Sequence, residues 1–520
     1  MKIRNLVLSV CLIVMSGCGG CGSGNTWTIF VYGHGDHNLS GSLMADINKM
    51  AAATLTGDVK VIVAADFDSS AKDSTGTPFP TGTTWYSITG GGEKTIIRNV
   101  EEQNLDDPTV LAEAIKYVIG NYPSDHYGII MWDHGGAWDG GFGGDTQDGT
   151  LPAAQVRGMT NVEVRDAIVK GFSSAGPVFK PVLDFIAFDT CLLGSAEAAY
   201  LFRSITNIYI ANAELDFGAG WNYTDTLTAL AAKPSMTPVE FATMELEKWD
   251  ALHKTASNDD LLLRSHTSLD TSKIDIFAAA MKDLVIAIEA TKSTGVLPSN
   301  GDVYARASAF ALPSYGKTAA SKTENSKYRD VGQFLRYLVV FAPADISAKA
   351  QAAIDATSAM QIGRDYGTLR DPASTYQLAF NIALPEISSI TDELLSDYAA
   401  KAGDWTATTG WKDFLSDLKA SASAEVPNPN YSIVVGTKTV TIVPSGSSLT
   451  FSSMEVLKDN FTTGFNYGTT NFGKITAGTT YTMIWDGMTW KLGIQAADTT
   501  VLPWFYTNAE LDTITSNANN

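Results

Sequence analysis

The sequence predicts an α/β protein: a largely parallel sheet with helices on both faces, then helical additions and a small C-terminal β module. Three observations predict it. Short apolar runs alternate with helix-length segments through the N-terminal half, the pattern of βαβ units. The runs are continuously apolar, as strands covered on both faces must be. Near Val426-Pro-Asn-Pro-Asn430 the composition shifts to Thr, Val, Gly and aromatics with few charges.

Taken in order, the first strand is Trp27-Thr-Ile-Phe-Val-Tyr32, followed by a helix around Ser42 to Ala53 and a second strand, Val59-Lys-Val-Ile-Val-Ala64. A helix over Pro108 to Ile119 leads to Tyr127-Gly-Ile-Ile-Met-Trp132, and a Gly/Asp-rich loop runs from Gly135 to Thr150. Another helix, Asn161 to Phe172, precedes the strand Leu183-Asp-Phe-Ile-Ala-Phe188. A helix over Gly194 to Ile205 then leads to the strand Asn207-Ile-Tyr-Ile-Ala211. From Thr224 to Asp417 the pattern is mainly helical, with apolar spacing along Phe277 to Ala290 and Val331 to Phe341, and a strand-like return at Tyr376 to Leu384. Beyond Val426, Tyr481 to Trp485, the Asp486-Gly487 turn signal and Met488 to Trp490 read as antiparallel hairpins.

The chain has 520 residues, enough for one large core and a smaller domain, and its 45% hydrophobic and 18% charged residues are those of a globular protein. A net charge of −20 argues against nucleic acid as a partner, since binding phosphate needs clustered Lys and Arg. An acidic surface could steer cationic peptides, though solubility explains it as simply.

The first residues carry an address. A basic start, Met1-Lys2-Ile3-Arg4, precedes an apolar run from Leu6 to Met15 that is short for a membrane span. With Ser16, Gly17 and Cys18 this resembles a bacterial lipoprotein signal over 1–17, cleaved before an acylated Cys18. A Gly/Ser-rich tether over 18–26 follows. The expectation is a protein lipid-anchored to the cell envelope, or secreted if Cys18 is not acylated. Of four cysteines, Cys11, Cys18 and Cys21 belong to this leader or its edge, which leaves Cys191 alone in the folded body. One unpaired thiol in an exported protein is either a buried bystander or kept for its chemistry, and the count alone leaves these level.

Two segments place chemistry at strand ends. Trp132-Asp133-His134-Gly135-Gly136 follows one strand, and Phe188-Asp189-Thr190-Cys191-Leu192-Leu193 follows the next. In open α/β sheets, functional groups collect beyond the carboxyl ends of strands. A thiol opening a helix gains thiolate character, and a nearby imidazole can take its proton and return it to a leaving amine. Gly135 N–H and Cys191 N–H could face an oxyanion. Either residue alone reads more simply as a satisfied core side chain; the pair together favours a thiol enzyme.

These residues resemble the clostripain-like cysteine peptidases. Tyr127 to Trp138 is similar to that family's histidine motif, and Ile186 to Tyr200, with its Asp-x-Cys-Leu and Glu-x-Ala-Tyr, to its nucleophile motif. Asp36-His37-Asn38-Leu39, Tyr328 to Phe334 and Trp411 to Leu415 resemble further segments. The resemblance covers about Trp27 to Leu418 and places a peptidase domain at 27–420, with 426–520 left as a β-rich accessory domain. It implies a caspase-like fold and an endopeptidase cutting after Arg or Lys, with His134 as base and Cys191 as nucleophile. Asp189 would line the pocket for the substrate's basic side chain, where a carboxylate gives Arg a bidentate partner; the alternative is a cap for the following helix. A second pocket acid is implied, Glu214 or Asp216, in a segment that departs from the family's pattern.

Self-cleavage, which some relatives undergo, would fall at Arg157, the basic residue in an apparent loop among Arg157, Arg165, Lys170 and Lys180. Calcium, which some relatives need, could meet Asp139, Asp145 and Asp148. That loop lacks EF-hand spacing and reads as solvated, so no metal or other cofactor is expected. Gly316-Lys317-Thr318 has the end of a phosphate loop, but Ala311 stands where a Gly is required. His34 and His37 lie near the end of the first strand and could approach the site, but each is as readily a surface residue, and neither is placed in the catalytic set. The rival readings are a catalytically inactive surface lipoprotein acting as an adhesin or binding protein, and a thiol hydrolase of non-peptide amides.

Overall fold

The computed structural model describes residues 25–68, 70–144, 158–175, 182–216, 220–254, 264–292, 325–342, 344–367 and 378–422, with strand segments between 431 and 507. Cys18, Arg157, Asp145, Asp148 and Gly316-Lys317-Thr318 lie outside the described residues. No described helix is long and apolar enough to cross a membrane.

The chain opens with β1 (Trp27–Gly35), α1 (Ser40–Ala51), β2 (Val59–Phe67), β3 (Thr84–Gly90) and β4 (Glu93–Asn99). It continues through α2 (Pro108–Asn121), β5 (His126–Trp132), a short α3 (Ala137–Gly140), α4 (Asn161–Ala175), β6 (Leu183–Asp189), α5 (Ala196–Phe202) and β7 (Thr206–Asn212). Next come α6 (Tyr223–Ala232), α7 (Pro238–His253), β8 (Ser265–Asp270), α8 (Ile274–Lys292), β9 (Tyr328–Asp330), α9 (Val331–Phe341) and α10 (Ala344–Met360). The last are β10 (Gln361–Tyr366), β11 (Asn381–Ala383), α11 (Asp392–Lys401), α12 (Gly403–Thr409) and α13 (Trp411–Ala422).

Nine strands form one sheet in the order β10-β8-β7-β6-β5-β1-β2-β3-β4. The five central strands, β2, β1, β5, β6 and β7, are mutually parallel. Antiparallel strands extend both edges, β3 and β4 on one side and β8 and β10 on the other. Successive side chains alternate between two apolar layers, which is why the central runs lack polar positions. Phe30, Tyr32, Ile129, Met131, Ile186 and Phe188 pack on one face against α2, α4 and α5 and the later helices. Ile29, Val31, Val61, Val63, Phe185 and Ala187 pack on the other against α1, α6 and α7.

Helix starts follow local chemistry. Asp107 caps α2 ahead of Pro108, and Thr237 with Glu240 forms a capping box ahead of α7. Ser195 caps α5, its side chain accepting from Ala198 N, so that helix begins later than the Gly194 the sequence suggests. Of the strand expected at Tyr376 to Leu384, only Asn381–Ala383 is formed, paired with β9, and Tyr376 and Gln377 lie outside the described residues. In the C-terminal region the described strands are antiparallel, Tyr431–Gly436 with Thr439–Pro444, and Thr489–Gln495 between Thr482–Trp485 and Val501–Thr507.

Candidate active site

The parallel strands deliver their chemistry to one edge. Register pairs Trp132 with Asp189 across β5 and β6. His134 and Cys191 therefore stand at matching positions, two residues beyond the last pair. The turn after Asp189 is tight. Leu192 has φ 64, a left-handed conformation that costs a branched residue energy and persists only where its surroundings hold it. Leu192 N donates to Glu214 O at 3.0 Å, and Asn381 Nδ2 donates to Leu192 O at 2.7 Å and to Ala213 O at 3.1 Å. Strand β11, from the helical half of the chain, thus braces the cysteine turn.

Gly135 lies against the same turn. A Cβ there would come within 2.3 Å of Cys191 O, so only glycine fits. Neither Gly135 N–H nor Cys191 N–H donates to another described residue. Both remain available to an oxygen of a bound ligand.

His134 is exposed at the rim. Its Nε2 is 3.1 Å from Asn38 Oδ1. Desolvation by its neighbours, and then the imidazoles of His37 and His34, hold it below its usual value against the pull of Asp133, so the neutral base prevails at pH 7. The ring sits 4.7 Å from that of His37. His34 and His37 are not surface residues: both are buried against the buried Asp133. His34 Nδ1 is 2.8 Å from one carboxylate oxygen and His37 Nε2 2.5 Å from the other. Burial alone would raise the Asp133 carboxyl, but His34 and then His37 outweigh it and bring it down to about 2. These three side chains place donor atoms within 4.8 Å of one another. Each oxygen of Asp133 meets an imidazole, Asp133 Oδ1 also accepts from His134 N, and His34 Nε2 lies 3.5 Å from Asp106 Oδ1.

Cys191 is half-buried, and its Sγ accepts from Asp216 N at 3.2 Å. The expected helix-dipole activation is absent, because Cys191 precedes the first helical residue by a whole turn of chain and meets carboxylates instead. Burial, then the charges of Asp216, Asp189 and Asp133, push the thiol up to about 12. Thiol and imidazole are both neutral at pH 7, with no hydrogen bond between them among the described residues.

Below the sulfur lies a nest of acids. Asp189 does not cap α5; it is buried, accepts from Tyr223 OH at 2.7 Å, and bonds Asp216. Burial and then Asp216 raise its carboxyl well above the usual range. Asp46, on α1, is a third member that sequence reading missed. Burial and then Asp189 raise it to about 6, and it bonds Trp132 Nε1 at 2.9 Å and Lys49 Nζ at 2.6 Å. Its signal was legible, since it stands in the buried stripe of Leu43, Ile47 and Met50, where an acid is out of place. Gly220, with φ 56, faces the gap: a Cβ would lie 3.4 Å from Asp46 and 3.5 Å from both Asp189 oxygens. Glu214 is buried too, but its Oε1 turns back to Leu215 N at 2.8 Å, so of the two candidates Asp216 is the one that meets Asp189. Asp139 pairs with Lys327 and Lys401.

Known proteins resemble the chain in sequence and in fold. The model of the clostripain family, peptidase C11, matches residues 31–418. Clostripain of Hathewaya histolytica is 29% identical over 218 residues, 38% of this chain and 40% of that protein. The match thus spans less than half of that relative's length. A secreted C11 cysteine protease from Bacteroides thetaiotaomicron, solved in complex with an irreversible peptide inhibitor, has TM-score 0.52 at 18% identity over 74% of this chain and 99% of that one. An inactive zymogen C11 protease from Parabacteroides distasonis has TM-score 0.50 at 16% identity over 74% and 97%. Both share the fold.

Proposed function

Since the chain belongs to the clostripain family, we propose that it is a cysteine endopeptidase cutting after Arg or Lys, with Cys191 as nucleophile and His134 as base. The observation that supports this reading is the register of β5 and β6, which pairs Trp132 with Asp189 and so puts residues 134 and 191 two positions beyond the ends of neighbouring strands. The His134 imidazole takes the thiol proton as Sγ attacks the scissile carbonyl carbon. The carbonyl electron pair moves to oxygen, which Gly135 N–H and Cys191 N–H are free to hold. The imidazolium then protonates the leaving amine, and water hydrolyses the thioester. Two carboxylates in contact, one holding a proton while the site is empty, suit a guanidinium or ammonium that replaces that proton.

In the same reading Cys18 carries the acyl anchor that keeps the enzyme at the cell envelope, Arg157 is the bond for self-cleavage, and 426–520 is an accessory domain. The first experiment is hydrolysis of an Arg-linked fluorogenic peptide by mature protein. Activity should be present and fall at least a thousandfold in Cys191→Ala. Equal activity in the variant would remove the thiol mechanism, and cleavage after Asp but not Arg would remove the pocket assignment.

A further inference from the structure

A buried chain of hydrogen bonds leads from Asp216 into the core beside β7. Asn212, the last residue of β7, donates from Nδ2 to Asp216 Oδ2 at 2.9 Å. Its Oδ1 is 2.6 Å from Nδ1 of His266, its partner across β7 and β8. His266 Nε2 is in turn 3.0 Å from Glu245 Oε2, on α7. His266 and Glu245 are fully buried. The His266 ring lies flat on Trp249, with centroids 4.6 Å apart and planes within 8°.

A primary amide has one accepting end and one donating end. Asn212 turns its oxygen to the His266 ring. Its NH2 is then left to face Asp216. A donor held there favours the ionised form of Asp216. Asp189, its neighbour, accepts from a tyrosine hydroxyl, and burial and then Asp216 raise its carboxyl. The chain holds the Asp216 carboxyl from the side while its own N–H faces Cys191 Sγ.

We propose that Glu245, His266 and Asn212 form a positioning relay that fixes the carboxyl group of Asp216 for the basic side chain of the substrate. The proposal rests on the reading of Asp189 and Asp216 as the basic-residue pocket. None of the three touches substrate, so their effect should fall on recognition and not on bond cleavage. A network that did no more than satisfy buried polar atoms would lower stability and leave the discrimination of substrates alone.

The test compares wild-type protein with Asn212→Asp and Glu245→Gln. Asn212→Asp keeps size and the acceptor towards His266, but turns an oxygen on Asp216 where a donor stood. KM for an Arg-linked peptide should rise about tenfold with kcat changing less than threefold, and Ki for methylguanidinium as a competitor should rise by a similar factor. Glu245→Gln, three hydrogen bonds from the pocket, should shift both in the same direction by about threefold. Wild-type KM and Ki in folded variants would overturn the relay, as would a loss confined to kcat. If Asn212→Asp does not fold, Glu245→Gln decides alone. Methylguanidinium binding to wild type with unchanged binding to the variants sinks the relay and spares the pocket; no binding to wild type sinks both.

Discussion

At Cys191, burial and charge act in one direction, and that makes its reactivity conditional. A thiol pushed up to about 12 is thiolate in only about one molecule in 10^5 at pH 7. Part of that elevation comes from Asp216 and Asp189, the acids proposed to receive a cation. A bound cation opposes their charge, lowers the thiol and raises the thiolate fraction. Labelling of the protein by iodoacetamide at pH 7 is therefore expected to speed up several-fold in saturating methylguanidinium, although the cation itself removes no proton. A rate that stays flat or slows would contradict the electrostatic account. The same charges make an empty site unreactive, which protects a solitary thiol from oxidants.

Among the elements, the turn after β5 and the turn after β6 fit each other at Gly135. Gly135→Ala sets a methyl against the carbonyl of Cys191, a backbone atom held by the strained Leu192 turn, so neither side can yield cheaply. The expected cost is about 1–3 kcal/mol in thermal unfolding, with kcat down at least a hundredfold. Wild-type kcat in this variant would show that the turns move freely. The central strands were legible in the sequence because they are buried on both faces and carry unbroken apolar runs. Strands β3, β4, β8 and β10 were not. Glu93–Asn99 is an exposed edge, and Ser265–Asp270 and Gln361–Tyr366 are polar although they join the sheet. His134, Cys191 and Asp189 were legible for a related reason, as polar residues at the ends of apolar runs. His34 and His37 look no different in sequence from surface residues, because only folding brings Asp133 between them. The His266 links join residues 54 and 21 positions apart, beyond any local pattern.

Over the whole molecule, the sheet and the helical half meet at Glu197. Its Oε1 accepts from Ala383 N at 2.9 Å and from Tyr398 OH at 2.8 Å, while Oε2 is buried with no partner among the described residues. Burial raises this carboxyl from 4.5 to about 7. The folded state therefore holds a proton that the unfolded chain has lost between these values, so stability falls as pH rises from 4.5 to 7. Glu197→Gln removes that dependence. Its melting temperature should match wild type near pH 5 and exceed it at pH 8, by an amount equivalent to about 2–3 kcal/mol. Equal melting at both pH values would mean that the carboxylate is accommodated without cost. The brace on the cysteine turn has a further consequence, in the order of synthesis. Asn381 follows Leu192 by 189 residues, which a ribosome takes on the order of ten to forty seconds to add. Throughout that interval Cys191 has been made and the residue that shapes its turn has not. A nascent chain therefore carries its thiol in an unfinished site and spares its surroundings until the last third of the domain has emerged.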